Sequence, residues 1–216
     1  MNWICGGGSH LWAAAFFILV IDMDKIEICN LALSRLGVEN IERIDEASEA
    51  ARACNQFYEP TRRTVLRRFP WPFATRRVKL ALIEGEPVDY EYAYRYPSDA
   101  IKIRELYAAE CRRHVGKYKI LSDDEGKVLY TDVELAAVEY TADIDDVSLF
   151  DDTFIEALSW KLASEIAIRL TNNPALASNA IQAYQAYFSE AAAQGTNEEK
   201  PKKQYVNPLE VARFNG

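Results

Sequence analysis

Histidine is almost missing from this chain: His10 and His114 are the two in 216 residues. His10 lies in a doubtful leader, so one histidine remains for any catalytic triad or zinc site, which is thin for either. Cysteine is sparse too. Cys5, Cys29, Cys54 and Cys111 are far apart with no CxxC pair, the pattern of buried thiols in a reducing compartment rather than a disulfide framework or metal site. The glycine run Gly6 to Gly8 lacks the Lys and Ser/Thr of a phosphate loop and follows no strand. A positive charge balance is also absent. With 33 Asp+Glu against 25 Lys+Arg the formal charge is −8, which opposes nonspecific binding to a polyanion. No apolar run is long. Leu11 to Ile21 is 11 residues, too short to span a bilayer, and no Lys or Arg precedes it as a signal peptide would require.

What is present is a chain that is 49% hydrophobic and 12% aromatic, enough to bury one globular core. "MDKIEICNLALSRLG" reads as a natural start at Met23. Residues 1–22 are therefore expected to come from a start assigned too far upstream, the competing reading being a hydrophobic arm that packs on a neighbour. Residues 23–193 are expected to form a single domain. Its first part, residues 25–69, is helical. Lys25 to Leu36 places Ile28, Leu31, Ala32 and Leu36 on one side, and Gly37 stops it. A longer helix from Ser48 to Phe69 puts Ala50, Cys54, Phe57, Tyr58, Thr61, Val65 and Phe69 on one face. Glu49, Arg52, Gln56, Glu59, Arg63 and Arg67 take the other. Pro60 is expected to kink or split this helix, and "FPWPFA" ends it.

Residues 77–142 read as a β-rich insertion. Tyr90, Tyr92, Tyr94 and Tyr96 alternate on one face, and Ile101 to Tyr107, Tyr118 to Leu121, Lys127 to Tyr130 and Leu135 to Thr141 are strand candidates. "SDDEGK" is a turn with Gly126 free to take positive φ. Residues 152–193 then form a helical hairpin. One helix is capped by Asp151, Asp152 or Thr153 and is apolar nearly all round, "NNP" breaks it, and an alanine-rich helix returns beside it. Residues 194–216 read as an extended tail. The fold class is α+β: a helical bundle with an antiparallel β-rich insertion in mid-chain.

Acidic residues do not form a recognisable site. "DIDD" with Asp151 and Asp152 lacks the Gly and distal Glu of a calcium loop. No carboxylate pair is singled out for glycoside hydrolysis. No cofactor or metal is expected. The concentrated feature is "RRTVLRRFPWPFATRRVK", Arg62 to Lys79, with seven basic residues and no acid. It can serve a nucleic acid, a neighbouring acidic surface, or solvent. The tyrosine stripe can stack bases, or form a half-buried core or subunit contact.

Three ordered motifs add a further expectation. "ICNLALSRLG" (Ile28 to Gly37), "IDEASEAARACNQFYEPTRRTVLRRFPWPFA" (Ile44 to Ala74) and "YEYAYRYPSDAIKIREL" (Tyr90 to Leu106) together resemble the tail tubular protein A family of short-tailed bacteriophages. The resemblance covers Ile26 to Leu106 and, in pattern only, the later hairpin. It implies a non-enzymatic virion protein of the tail, made in the host cytoplasm. Members form a homo-oligomeric ring, typically of twelve copies, between the portal protein and the tail nozzle protein, with transient contact to passing DNA and none with a membrane. Arg62, Arg63, Arg67 and Arg68 are then candidates for a subunit or portal interface, where arginine makes bidentate bonds to a neighbour's carboxylates. In the tail, Tyr205, Leu209, Val211 and Phe214 are too apolar for a free linker, and are expected to order on the portal or a neighbour. The alternatives are a nucleic-acid-binding protein using residues 62–79, or a carbohydrate-active tail component using carboxylates of the β-region. Removal of residues 1–22 is expected to leave folding and particle assembly intact. A truncated chain that fails to fold or to join particles makes the leader a structural arm.

Overall fold

The computed structural model describes residues 23–85, 87, 89–109, 113, 114 and 117–198. The leader, Cys111 and the tail from 199 onward lie outside them. Among the described residues, four α-helices and two antiparallel sheets make an α+β fold in which the β-strands form one insertion between the second and third helices.

Helix α1, Lys25–Arg35, opens with a capping box in which the Asp24 side chain accepts from the Glu27 amide and Glu27 reaches back to the Asp24 amide. It closes where Gly37 takes φ 67°, so that Gly37 and Val38 donate to Ser34 and Leu33; this is the glycine-terminated helix end the sequence calls for. Asn30 clasps Ile41 through both its backbone groups, folding the connection back towards α2, Glu49–Arg68, which Ser48 caps. Pro60 sits inside α2 without splitting it. Its ring is solvent-exposed, so water can meet the carbonyl left without a donor. The inward face of Tyr58, Thr61, Val65 and Leu66 stays packed across it.

After a 3-10 turn at Pro72–Ala74 the insertion begins. Its strands are β1 Thr75–Lys79, β2 Tyr92–Arg95, β3 Ala100–Ala108, β4 Arg113–His114, β5 Tyr118–Asp123, β6 Gly126–Thr131 and β7 Ala136–Ala142. One sheet runs β1-β7-β3-β4 and the other β2-β6-β5. The first and last strands pair, Thr75 opposite Thr141, so the chain leaves and re-enters the helical part at one place. The insertion opens two residues before the expected residue 77: β1 covers Thr75–Lys79, and Leu82 beyond it bridges to Tyr94. The tyrosine stripe is also shorter as strand, because only Tyr92–Arg95 pair. Tyr94 and Tyr96 point into the core, where Tyr94 donates from its hydroxyl to the Val133 carbonyl at 2.9 Å. Gly126 takes φ 131° at the β5–β6 turn, as the sequence requires.

Helix α3, Asp152–Thr171, is capped by Asp151 and buries nine residues from Phe154 to Ala167. It is the central helix. Arg35 of α1 meets Glu156 and lies 4.0 Å from the Trp160 ring centroid, and Arg169 meets Glu49 and Gln56 of α2. Asn172 in the left-handed region ends it, and α4, Pro174–Glu198, returns with Ala180 and Tyr184 buried. Where α2 ends, Trp71 is buried with its indole donating to the Val65 carbonyl at 3.0 Å. Phe69, Phe73 and Phe154 meet it edge-on or tilted, and Phe150 packs behind them on Phe73 and Phe154. Such contacts add to the area buried, and they place the "FPWPFA" element at the junction of bundle and insertion. Cys29 and Cys54 are buried free thiols. Among the described residues no helix is long and apolar enough to cross a membrane.

Burial is the first cause holding the hydroxyls of Tyr58, Tyr96, Tyr140 and Tyr184 above their ordinary pKa. Burial and then a hydrogen bond to Glu105 push Tyr107 up to about 12. An unfolded tyrosine titrates near about 10. The folded state therefore holds protons that the unfolded state has lost, and stability present below pH of about 10 falls as pH rises towards 12. Denaturant titrations at increasing alkaline pH are expected to show this loss, with tyrosinate absorbance appearing together with unfolding. Phenols that all titrate near pH 10 in a chain of unchanged stability contradict this packing.

Candidate functional site

The basic segment from Arg62 to Lys79 runs from the last two turns of α2 through the aromatic turn into β1, and the structure places its charges one by one. Arg62 was expected at an interface; it faces inward and is 4% exposed. Its guanidinium lies 2.9 Å from Glu59 Oε2 on its own helix and 2.9 Å from Asp143 Oδ1, and it donates to the Ile144 carbonyl. The reason is positional. Asp143 directly follows β7, at the point where the insertion returns to the helices. Arg63 stays exposed as expected, yet its Nε lies 3.0 Å from Asp143 Oδ2, so one carboxylate bridges two successive arginines. Further along, Arg76 meets Asp99 at 2.6 Å, and Arg77 meets Glu139 at 2.5 Å across the β1–β7 pair. The Glu139 hydrogen bond holds the Arg77 guanidinium above its ordinary value. Arg68 lies over the rings of Phe188 and Tyr184, at 4.5 and 5.2 Å from their centroids. Arg67 donates to the Ile101 carbonyl at 3.1 Å.

The residue that sequence reasoning missed is Arg104, on β3. It sends Nη2 to the carbonyls of Leu66, Arg67 and Phe69 and Nε to Thr141 Oγ1, at 2.8–3.2 Å. The last carbonyls of a helix have no partner within it, and a cation is favoured at that end by the helix dipole. Arg104 thus caps α2 from the neighbouring sheet. Burial, and next the nearby Arg67, hold its guanidinium below the ordinary value. Nothing local in "AIKIREL" marks it, because an arginine alternating with Ile101 and Ile103 reads as a solvent-facing strand residue. Asp143 was half-visible: its "DIDD" reads as a turn, and the structure makes it the acid that seals the root of the insertion.

The remaining candidates divide plainly. Tyr205, Leu209, Val211 and Phe214 lie outside the described residues, as do His10, the glycine run and the tail from 199 onward; residues 194–198, expected as the start of an extended tail, instead continue α4. His114 lies on β4 opposite Tyr107. Asp151 caps α3 and Asp146 caps the turn at Val147–Leu149. Among the described residues no group of three or more His, Cys, Asp or Glu is placed to hold a metal ion. With Tyr94 and Tyr96 inside the core, the tyrosine stripe does not present a stacking platform along its length. Comparison of the chain with protein-family models and with curated proteins gives no match.

Arg62→Ala removes the hydrogen-bond donor to Glu59 and to the Ile144 carbonyl, and the ion-pair partner of Asp143. Losing one partner of a fully buried pair costs about 3–5 kcal/mol. Glu59 and Asp143 keep part of their hydration, with side chains 48% and 27% exposed, so the expected loss is on the order of 2–4 kcal/mol. Arg63→Ala, at an exposed site, is expected to cost under about 1 kcal/mol. Denaturant unfolding of both variants checks this, and losses of equal size at the two positions refute the assignment of Arg62 as the structural partner.

Proposed function

We propose that this chain is a structural, non-enzymatic subunit of a bacteriophage tail, forming a homo-oligomeric ring that joins the portal to the tail nozzle and lets DNA pass. The observation that carries the reading is the ordered set of three motifs, Ile28 to Gly37, Ile44 to Ala74 and Tyr90 to Leu106. They fall on elements that build one junction: α1 and α2, the buried Trp71 that closes α2, and β2 leading into β3. A ring subunit must hold its helices and its insertion at a fixed angle, and salt bridges and carbonyl bonds from Arg62, Arg63, Arg67 and Arg104 cross that junction. An acidic chain also suits a channel that DNA must leave freely. The terminal segment from Tyr205 to Phe214 supplies an arm for the portal or a neighbouring copy.

Electron microscopy and light scattering on the purified full chain, alone and mixed with the portal protein of the same phage, test the reading. The expected result is ring particles that attach to the portal, with attachment weakened by truncation after Gln194. A chain that stays monomeric and leaves the portal bare overturns it. Salt-dependent retention of duplex DNA by a monomer points to the nucleic-acid alternative instead, and reducing-sugar release from a host polysaccharide points to an enzyme.

A further inference from the structure

The sheet ordered β2-β6-β5 has two unlike edges. Beyond β2, Ile83 donates to the Ala93 carbonyl and Arg95 to that of Ala81, so a stretch of chain covers that side. Beyond β5, Tyr118–Asp123, no strand pairs among the described residues. The hydrogen bonds across the sheet fix what this edge presents. Tyr96 donates to the Lys127 carbonyl, so Lys127 turns its backbone polar groups towards β2. Those groups point to alternate sides in successive residues of a strand. Leu129 therefore also bonds towards β2, while Val128 and Tyr130 bond towards β5, to Leu121 and Lys119. Tyr118, Ile120 and Ser122 are left with their N–H and C=O groups directed outward.

The side chains along this edge have opposite charges at its two ends. Lys117 and Lys119 lie at the start, Asp123 and Asp124 at the finish, all of them exposed. Asp123 is held by Arg95, but a carboxylate has about four acceptor positions and keeps room for a lysine. A second copy turned about a two-fold axis at Ile120 meets the edge antiparallel. Ile120 then faces Ile120, Tyr118 faces Ser122, Lys119 faces Leu121 and Lys117 faces Asp123. Every outward-directed residue meets another, so each such pair can exchange two backbone bonds. On one face the two exposed Ile120 side chains pack together. On the other, the exposed Leu121 lies beneath a Lys119 stem, and an ion pair closes each end.

We infer that β5 docks antiparallel on β5 of a second copy about Ile120, joining the two sheets into one. Outward backbone groups accept any extended chain, and edge lysines work against such indiscriminate pairing. A copy of the same strand is singled out because it brings a carboxylate to Lys117 at both ends. The register follows from the backbone. An axis at Leu121 sets Lys119 opposite Asp123, but it carries Tyr118 past the strand end onto Asp124 in the turn and loses those bonds. The contact is isologous, so it pairs copies and does not by itself close a ring. It stands independently of the adaptor reading.

Sedimentation velocity on the full chain over a range of concentrations tests this, with thermal melting of the same samples as the control. The parent chain is expected to show a concentration-dependent dimer step. Ile120→Pro removes an outward N–H that no strand of the monomer uses, and is expected to raise the dimer Kd roughly ten-fold or more. Lys117→Glu, at an exposed site before the strand, sets like charges opposite Asp123. It is expected to melt like the parent and to raise Kd roughly five-fold. Under oxidised glutathione, Ile120→Cys is expected to link two chains beyond the level of the parent, because bonded antiparallel partners lie about 5.5 Å apart at Cα. Leu121→Cys, offset from its own copy, is expected not to. The inference is overturned by a parent chain without a dimer step, by dimers that Lys117→Glu and Ile120→Pro leave unchanged, or by Leu121→Cys linking as readily as Ile120→Cys. A parent without a dimer step whose Ile120→Pro variant loses portal attachment assigns the edge to another protein's strand, and overturns it equally.

Discussion

The buried guanidinium of Arg62 is the constraint on which the rest of the architecture depends. It is a charge at 4% exposure, and a charge in that position is tolerated only when paired and hydrogen-bonded. Its partners come from both parts of the fold: Glu59 from the same helix, Asp143 and the Ile144 carbonyl from the strand returning out of the insertion. Any arrangement that moves the insertion away from α2 strands this charge. The fold is therefore locked at one geometry by the cost of the alternatives more than by the strength of the pair itself.

Chain topology explains why such a lock is needed. The insertion leaves after α2 and returns before α3, and its terminal strands β1 and β7 pair side by side. Everything between Thr75 and Ala142 is attached to the bundle through that narrow root. The apolar contribution at the root is the Trp71 cluster. Apolar packing is non-directional, and it does not by itself fix a rotation between two layers. The arginine bonds are directional. Arg62 and Arg63 hold Asp143 on one side, while Arg104 reaches back from β3 to the open end of α2 on the other.

How legible this was in the sequence follows from how local each signal is. Helix ends set by Asp24, Ser48, Gly37 and Asp151 involve partners within a few residues, and they can be read directly. The centrality of α3 is written in its nearly uniform apolarity. The tyrosine alternation gave a strand and its core face at Tyr94 and Tyr96, but not its length, because pairing ends where β6 ends at Thr131. Arg62 was legible only as an interface candidate and not as a buried charge, for a physical reason: its burial is decided by an acid 81 residues away in the chain, Asp143, and no periodicity carries that information. Arg104 was missed for the same reason. The basic segment itself was legible as unusual, and its acids were legible as numerous. Which acid meets which base depends on tertiary structure.

The two sheets also leave unequal edges. The outer side of β2 is covered, since Leu82 bridges to Tyr94, Ile83 donates to the Ala93 carbonyl and Arg95 to that of Ala81. The outer edge of β1 has no strand partner among the described residues but carries Arg76, Arg77 and Lys79 along five residues, and charged side chains on a short strand discourage pairing with another chain. β5 is guarded less. Ile120 and Leu121 are exposed on successive residues, and so on opposite faces of the strand, with Lys119 beside them. Arg95 ties the tip of this hairpin down through Asp123 and Glu125, which keeps β5 in register with β6 although its far edge has no strand partner among the described residues. The charges of this chain thus do two jobs with one chemistry: inside, they fix the insertion to the bundle, and at the margins they fix where its sheets stop.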